Sequence, residues 1–391
     1  MKVLIIPSWY PYPSMPHAGR FFVEQAQALA KIDHLDVSIL NWGQNALQLK
    51  LREPIGSMVK LLRYHTAQLH PSNISQELKE ITIPHLTWTS HLLGANISSL
   101  ADKIDLKEKP DIIHAHVSFP AGYLAMLLSQ RYGIPYIITE HSGPFPLREH
   151  IRHGKLSPLV SNPLSKAAKV VAVSSHLSAE IFMLTGISPT IIPNMVDTDY
   201  FSPSSPDRDE QEPIRFFSLG SLTEAKGALD LVMAAKMLKD KGVSFTLRCG
   251  GSGVLENRLK SLITKFDLQN QVTLLGRLNK DDTLNEYRNC DCFVLPSHVE
   301  SFSMVLIEAM ACGVPLIATA CGGPQDIVSD ACGILIPPQS PHKLCEGMQY
   351  MAEHCRGYDR TAIRKLCVDR YSSIIVTQQI EQLYRWVLNR V

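Results

Sequence analysis

Short runs of apolar residues alternate with segments of helical period along most of this chain. In the first half the runs are Val3 to Ile6, Val37 to Leu40, Ile112 to His114, Tyr136 to Thr139 and Val170 to Val173. The second half repeats the plan with Arg215 to Leu219, Phe245 to Arg248, Val272 to Leu275, Cys292 to Leu295, Leu316 to Ala318 and Ile334 to Ile336. The runs lack the polar alternation of a half-solvated strand, which predicts strands buried on both faces. Helical patterns intervene, such as Leu255, Leu259, Leu262, Ile263 and Phe266. Strands separated by helices imply parallel sheets with helices on both sides, so the predicted class is α/β with two doubly wound, Rossmann-like domains. Tyr200 to Pro213 holds three prolines, tandem serines and an Asp-Arg-Asp-Glu run, the composition of an exposed linker. The hinge is expected near Asn194, with residues 1–196 as the first domain and 197–370 as the second. Ligands of open parallel sheets bind beyond the C-terminal strand edges, so two such sheets facing each other would form an interdomain cleft.

Candidate chemistry gathers at predicted strand ends. The richest stretch is Glu300-Ser-Phe-Ser-Met-Val-Leu-Ile-Glu308-Ala-Met-Ala-Cys-Gly-Val-Pro315, with two carboxylates eight residues apart around a helix start. Ser303 is the expected N-cap, and Gly313 and Pro315 end the helix. Free N–H groups at such a terminus suit a phosphate, and flanking carboxylates suit sugar hydroxyls. A bare pair of glutamates at this spacing is more often solvated helix charge. Leu219-Gly220-Ser221-Leu-Thr-Glu-Ala-Lys226-Gly227 follows a strand and opens a helix, where an ammonium and helix N–H groups would converge on phosphate. Cys249-Gly250-Gly251-Ser252-Gly253 is a second strand-to-helix loop, read either as close backbone approach to a ligand or as a tight turn.

In the first half, His114 and His116 alternate at a strand end, and Thr139-Glu140-His141 ends another. A histidine there is otherwise commonly a hydrogen-bonded core residue. Gly19 and Arg20 open a helical pattern that continues through Phe21, Phe22, Gln25, Ala26 and Leu29. Asp197-Thr-Asp199 spells a DxD, but it follows a proline turn rather than an extended strand, so turn or capping roles are expected and no metal.

Glu308-Ala-Met-Ala-Cys-Gly-Val-Pro-Leu-Ile-Ala-Thr, followed by Gly322-Gly323-Pro-Gln-Asp326-Ile-Val, resembles the donor-binding segment of the family 4 retaining glycosyltransferases, the group 1 enzymes of GT-B fold. Ile192-Pro-Asn194-Met-Val-Asp197-Thr-Asp199-Tyr-Phe201 resembles that family's domain junction, with Met195 where glycine is usual. The resemblance covers nearly the whole chain and implies transfer of a glycosyl unit, of hexosyltransferase type, from a nucleoside diphosphate sugar to an acceptor hydroxyl with retention. It implies no cofactor and no metal. Residues 371–391 would cross back to the first domain in that architecture; the simpler reading is an ordinary packing helix.

By resemblance, Glu308 binds the ribose and Glu300 the donor sugar; Lys226 and the backbone of Phe302, Ser303, Met304 and Val305 stabilise the leaving diphosphate. His116 positions the sugar and acceptor, Gly19 lets its loop approach the donor, and Arg20, Glu140 and His141 are acceptor-side candidates. A front-face route, in which the leaving phosphate takes the acceptor proton, needs no protein nucleophile; Glu300 as a covalent nucleophile is the disfavoured alternative. Ser221 stands where the family usually has a phosphate-binding arginine, with Arg277 and Arg248 as candidate substitutes. That departure leaves open a sugar-nucleotide-binding protein without turnover, or an epimerase.

Composition adds bounds. The 391 residues are 45% hydrophobic and 19% charged with a formal charge of +1, which argues against a nucleic-acid partner. Residues 1–196 carry 17 Lys and Arg against 13 Asp and Glu, a surplus that permits an acidic acceptor or a membrane surface and equally fits chance. Leu47 to Leu69 mixes Lys50, Arg52, Lys60 and Arg63 with leucines and reads either as a peripheral membrane contact near a lipid-linked acceptor or as a packed helix interrupted by Pro54 and Gly56. All nine cysteines lie at or beyond Cys249, which suits reduced, buried thiols. With no signal-like N-terminus and no spanning apolar run, the expected location is cytoplasmic, with attachment to the inner membrane face as the variant. The expected setting is bacterial-type polysaccharide, lipopolysaccharide or glycolipid assembly.

Overall fold

The apolar runs form parallel strands in the computed structural model, which describes residues 1–11, 18–42, 56, 58, 78–83, 93–106, 108–204 and 213–390. The Leu47–Leu69 segment, apart from Gly56 and Met58, and most of the Tyr200–Pro213 linker lie outside the described residues. The chain divides into two compact units, the first comprising Met1–Val173, Leu177–Ile192 and Thr377–Val391, the second Ser174–His176 and Pro193–Val376.

The first unit is built on a parallel sheet whose strands are β1 (Lys2–Pro7), β2 (Asp36–Asn41), β3 (Lys79–Thr82), β4 (Ile112–His116), β5 (Tyr136–Glu140), β8 (Lys169–Ala172) and β9 (Thr190–Ile191), in spatial order β3-β2-β1-β4-β5-β8-β9. The antiparallel hairpin β6 (Ile151–Arg152) and β7 (Lys155–Leu156) stands apart from it. Chain order reverses between β1 and β4, where Pro7 pairs with His116, and that reversal is where doubly wound sheets open a crevice. Leu4, Ile5 and Ile6 are fully buried, as central parallel strands require. The edge strands β3 and β9 escaped the sequence pattern because they are short and largely solvated.

His114 is saturated inside this core: Nδ1 lies 2.6 Å from Tyr384 Oη on the C-terminal helix Ser373–Leu388, and Nε2 lies 2.7 Å from Thr139 Oγ1. Burial drives its pKa down to about 3.

The second unit repeats the arrangement with β10 (Ile214–Leu219), β11 (Phe245–Gly250), β12 (Val272–Gly276), β13 (Cys292–Leu295), β14 (Leu316–Thr319) and β15 (Gly333–Ile336), ordered β12-β11-β10-β13-β14-β15 and all parallel. The reversal lies between β10 and β13. Helix Glu256–Lys265 buries Leu259 and Ile263 in the core, the face its spacing predicts. The two parallel α/β sheets are the predicted fold class.

Arg364 donates to the carbonyls of Thr198 (2.9 Å), Phe201 (3.0 Å) and Ala311 (2.6 Å), tying the segment after Asn194 to the end of helix Met304–Ala311. Asp197 accepts from the N–H groups of Asp199 and Tyr200, an Asx turn. Eight of the nine thiols are buried, with Cys321 intermediate, and none is disulfide-bonded. Among the described residues no helix is long and apolar enough to cross a membrane.

Tyr384→Phe would leave a buried imidazole nitrogen unpaired, so it should cost about 1–3 kcal/mol in denaturant unfolding. Buried His114 and His116, both held below their usual 6.5, stay neutral in the fold and titrate at the ordinary value once unfolded. Stability should therefore fall as pH drops from about 6.5 toward 3, which unfolding curves at stepped pH would read.

Candidate active site

Beyond the C-terminal ends of β10, β11 and β12, loops are fastened backbone to backbone. Gly220 N donates to Gly250 O (3.1 Å), Leu222 N to Ser252 O (3.1 Å) and Gly251 N to Gly276 O (2.7 Å), so the glycine loop after β11 buttresses the loop carrying Ser221. Ser221 itself is exposed. A single 3₁₀ turn, Glu224–Lys226, leads to Gly227 at φ 65°, where an added Cβ would sit 1.9 Å from Pro296 O. Only glycine permits that approach, and it seats Lys226 against the end of β13.

Lys226 Nζ donates to Glu300 Oε1 at 2.6 Å, and Ser297 Oγ donates to the same oxygen at 2.8 Å. The Glu300 backbone is gripped by the next loop: its N–H reaches Cys321 O (3.3 Å) and its carbonyl accepts from Gly323 N (2.8 Å). Gly322, at φ 122°, would carry a Cβ only 2.5 Å from Glu300 O. Lys226 and Glu300, assigned separate tasks from sequence, are thus bonded to each other, and Ser297 was missed although its position at the end of β13 could have marked it.

Helix Met304–Ala311 begins one turn after Glu300. Ser303 occupies the N-cap position, but its side chain caps nothing, which corrects the sequence expectation. Its backbone stands at φ 102°, ψ 94° instead of the extended geometry a capping serine needs, and its buried Oγ has no partner. The first-turn N–H groups are left without a side-chain cap. Phe302 contributes only backbone, since its ring is buried edge-on against Tyr371. Met304 and Val305 are half-buried. Farther along, Glu308 Oε2 lies 3.0 Å from the hydroxyl of Tyr287, which also lies 3.1 Å from Val305 O. Burial and the Glu308 carboxylate raise the Tyr287 pKa well above its usual 10, keeping it a phenol that can donate. No sequence signal marked Tyr287, a lone aromatic in a polar helical stretch.

Of the two proposed substitutes for the missing arginine, Arg248 is committed to Glu286 through two 2.8 Å bonds. Arg277 Nε bonds Ser252 Oγ at 2.9 Å, on the loop whose carbonyl holds Leu222 beside Ser221.

In the first unit, His116 Nδ1 lies 3.1 Å from His141 Nε2, and Phe22 packs tilted against the His116 ring at 4.7 Å and edge-on against that of His141 at 5.1 Å. His116 Nε2 is buried without a hydrogen-bond partner. Burial first, then the neighbouring His114 and His141, hold its pKa well below 6.5, so it works as a neutral imidazole. Ser8, absent from the sequence candidates, fixes this turn: its Oγ donates to His116 O (2.8 Å) and accepts from Ala121 N (3.1 Å). Glu140 is fully buried and spent on backbone N–H groups, Oε2 on Ser118 (2.9 Å) and Oε1 on His141 (3.0 Å) and Ser142 (2.9 Å). Its carboxylate clamps the loops. Gly19, at φ 65°, packs on the Trp9 carbonyl, and Arg20 pairs with Glu24 at 3.1 Å on an exposed helix face. Among the described residues no group of three or more His, Cys, Asp or Glu could hold a metal ion.

Two family models match in succession: Glycosyltransferase Family 4 over residues 18–200 and Glycosyl transferases group 1 over residues 204–361. The chain belongs to the family 4, group 1 glycosyltransferases.

This glycosyltransferase is 26% identical over 369 residues to TuaC of Bacillus subtilis, whose name assigns it provisionally to teichuronic acid biosynthesis, covering 89% of this chain and 88% of TuaC. Among solved structures, sucrose-phosphate synthase from Thermosynechococcus elongatus superposes with a TM-score of 0.77 at 19% identity, covering 100% of both chains. Anabaena Alr3699/HepE in complex with UDP-glucose gives 0.69 at 18% identity, covering 98% of this chain and 99% of that one. Both share the GT-B fold.

Two substitutions in this glycosyltransferase should move stability in opposite directions. Ser303→Gly relieves a positive φ and should gain roughly 1 kcal/mol. Gly227→Ala forces a Cβ into the Pro296 carbonyl and should lose at least about 2 kcal/mol, both read by thermal and denaturant unfolding.

Proposed function

We propose that the chain transfers a glycosyl unit from a nucleoside diphosphate sugar to an acceptor hydroxyl, with retention at the anomeric carbon and without a metal. The observation that carries this reading is the Lys226–Glu300–Ser297 cluster beside an uncapped helix start, with Glu308 farther along that helix. An ammonium and unpaired N–H groups suit a diphosphate, and the two carboxylates suit hydroxyls of a sugar and a ribose.

In this mechanism Lys226 and the backbone from Phe302 to Val305 stabilise charge growing on the leaving diphosphate. Glu308, oriented by Tyr287, accepts from the ribose hydroxyls, and Glu300 holds the donor sugar. The bond from the anomeric carbon to the diphosphate oxygen breaks while the acceptor oxygen bonds on the same face, and the acceptor proton passes to the departing phosphate oxygen. No side chain need become covalently attached. His116, a neutral imidazole with Nε2 unpartnered, positions sugar and acceptor, and His141 orients His116 through their shared hydrogen bond. The acceptor is a glycan or lipid-linked glycan of a polysaccharide or glycolipid pathway, a reading favoured by the likeness to TuaC.

Ser221, which supplies no charge, favours a second reading: donor binding without turnover. A panel of nucleotide sugars, with and without EDTA and a mixed glycan-lipid extract, distinguishes the two through nucleoside diphosphate release. Acceptor-dependent release from one donor, unchanged by EDTA, is expected; binding without release would favour the second reading, and loss with EDTA would end the metal-free mechanism. Lys226→Ala should lower kcat by about 100-fold or more. Glu308→Ala should weaken donor affinity by about tenfold or more.

A further inference from the structure

We propose that the Lys226–Glu300 ion pair is an internal competitor that the donor must exchange, so that the site selects ligands carrying a diphosphate and a sugar together. This rests on Lys226 and Glu300 being donor ligands, as proposed above. The ammonium assigned to phosphate is engaged at 2.6 Å by the carboxylate assigned to sugar, and the two cannot serve the ligand while they serve each other.

The two partners differ in freedom. Glu300 is fixed at its N–H and carbonyl by the Cys321–Gly323 loop, and its side chain is 11% exposed. Lys226 is fixed only at its backbone, by the Gly227 seat on Pro296, and its side chain is 35% exposed. A diphosphate therefore draws Nζ away at the end of a flexible stem and leaves the carboxylate behind. Deserted, Glu300 Oε1 keeps only the Ser297 hydroxyl, and a poorly solvated anion short of donors offsets part of the phosphate contact. A sugar on the diphosphate brings hydroxyl donors to the vacated position and restores the loss. The nucleoside diphosphate left after transfer cannot do so, which favours its departure.

Calorimetric titration of the wild type with UDP, GDP and ADP and with UDP-glucose, GDP-mannose and ADP-glucose sets the reference. In Glu300→Gln the preferred nucleoside diphosphate should bind about three- to fivefold more tightly, while its sugar conjugate gains nothing or weakens. Glu300→Asp keeps the charge but shortens the reach, and should shift the two ligands in the same sense. Glu224→Gln, an equal charge change on the exposed face of the same turn, should leave both affinities unaltered. Unchanged diphosphate affinity in both Glu300 variants, equal tightening of both ligands, or the same tightening in Glu224→Gln would overturn the exchange alone. A wild-type chain that binds none of these ligands would overturn the donor-site reading and the exchange with it.

Discussion

The ends of β10, β13 and β14 are joined through one residue, Glu300. Its carboxylate takes Lys226 from the loop after β10 and Ser297 from the end of β13, and its backbone is clasped by the Gly322–Gly323 turn after β14. Parallel sheets leave their strand ends unconnected to one another, since every crossover returns to the opposite edge. Cross-ties at this rim must come from loops, and loops can approach so closely only where a Cβ is missing, as at Gly227 and Gly322. The geometry of this rim is thereby set by the tie itself.

The architecture was legible because strands buried on both faces have no choice of composition. Cys292 to Leu295 and Leu316 to Ala318 could hardly be read otherwise, whereas β3, with Lys79 and Glu80, carries no such demand at its edge. At the site, residue identities were readable and relations were not. Lys226 and Glu300 are 74 residues apart, and nothing in either segment announces that their side chains meet. Ser303 misled because a serine before an apolar helix usually caps it; here the loop from Glu300 enters the helix at a backbone angle that turns the hydroxyl inward. Glu140 admits two readings for a related reason, since a carboxylate at a strand end is as useful for gathering loop N–H groups, as it does here, as for meeting a ligand.

The first unit solves a different problem. Three histidines and two phenylalanines crowd the reversal between β1 and β4, and the neutrality of His114 and His116 is what allows those two imidazoles to pack 4.4 Å apart. His114 is closed off by Tyr384 and Thr139, so it props up the neighbouring His116 and has no free nitrogen of its own. Polar groups at such depth persist only when each is paired or reserved for a ligand, which separates the scaffold histidine from the one with an open position.

Tyr384 reaches His114 across 270 residues of chain, the whole of the second unit among them. Vectorial synthesis therefore cannot complete the first unit when its own strands emerge. The nascent sheet must wait with His114 uncovered until the last helix is made, an interval of roughly ten to forty seconds at ordinary elongation rates. During that time the second unit, whose segments from Pro193 to Val376 emerge in one stretch, can close first. The order of folding would then run against the order of translation, and a ribosome stalled shortly before codon 384 would release a chain with a finished second unit and an open histidine core.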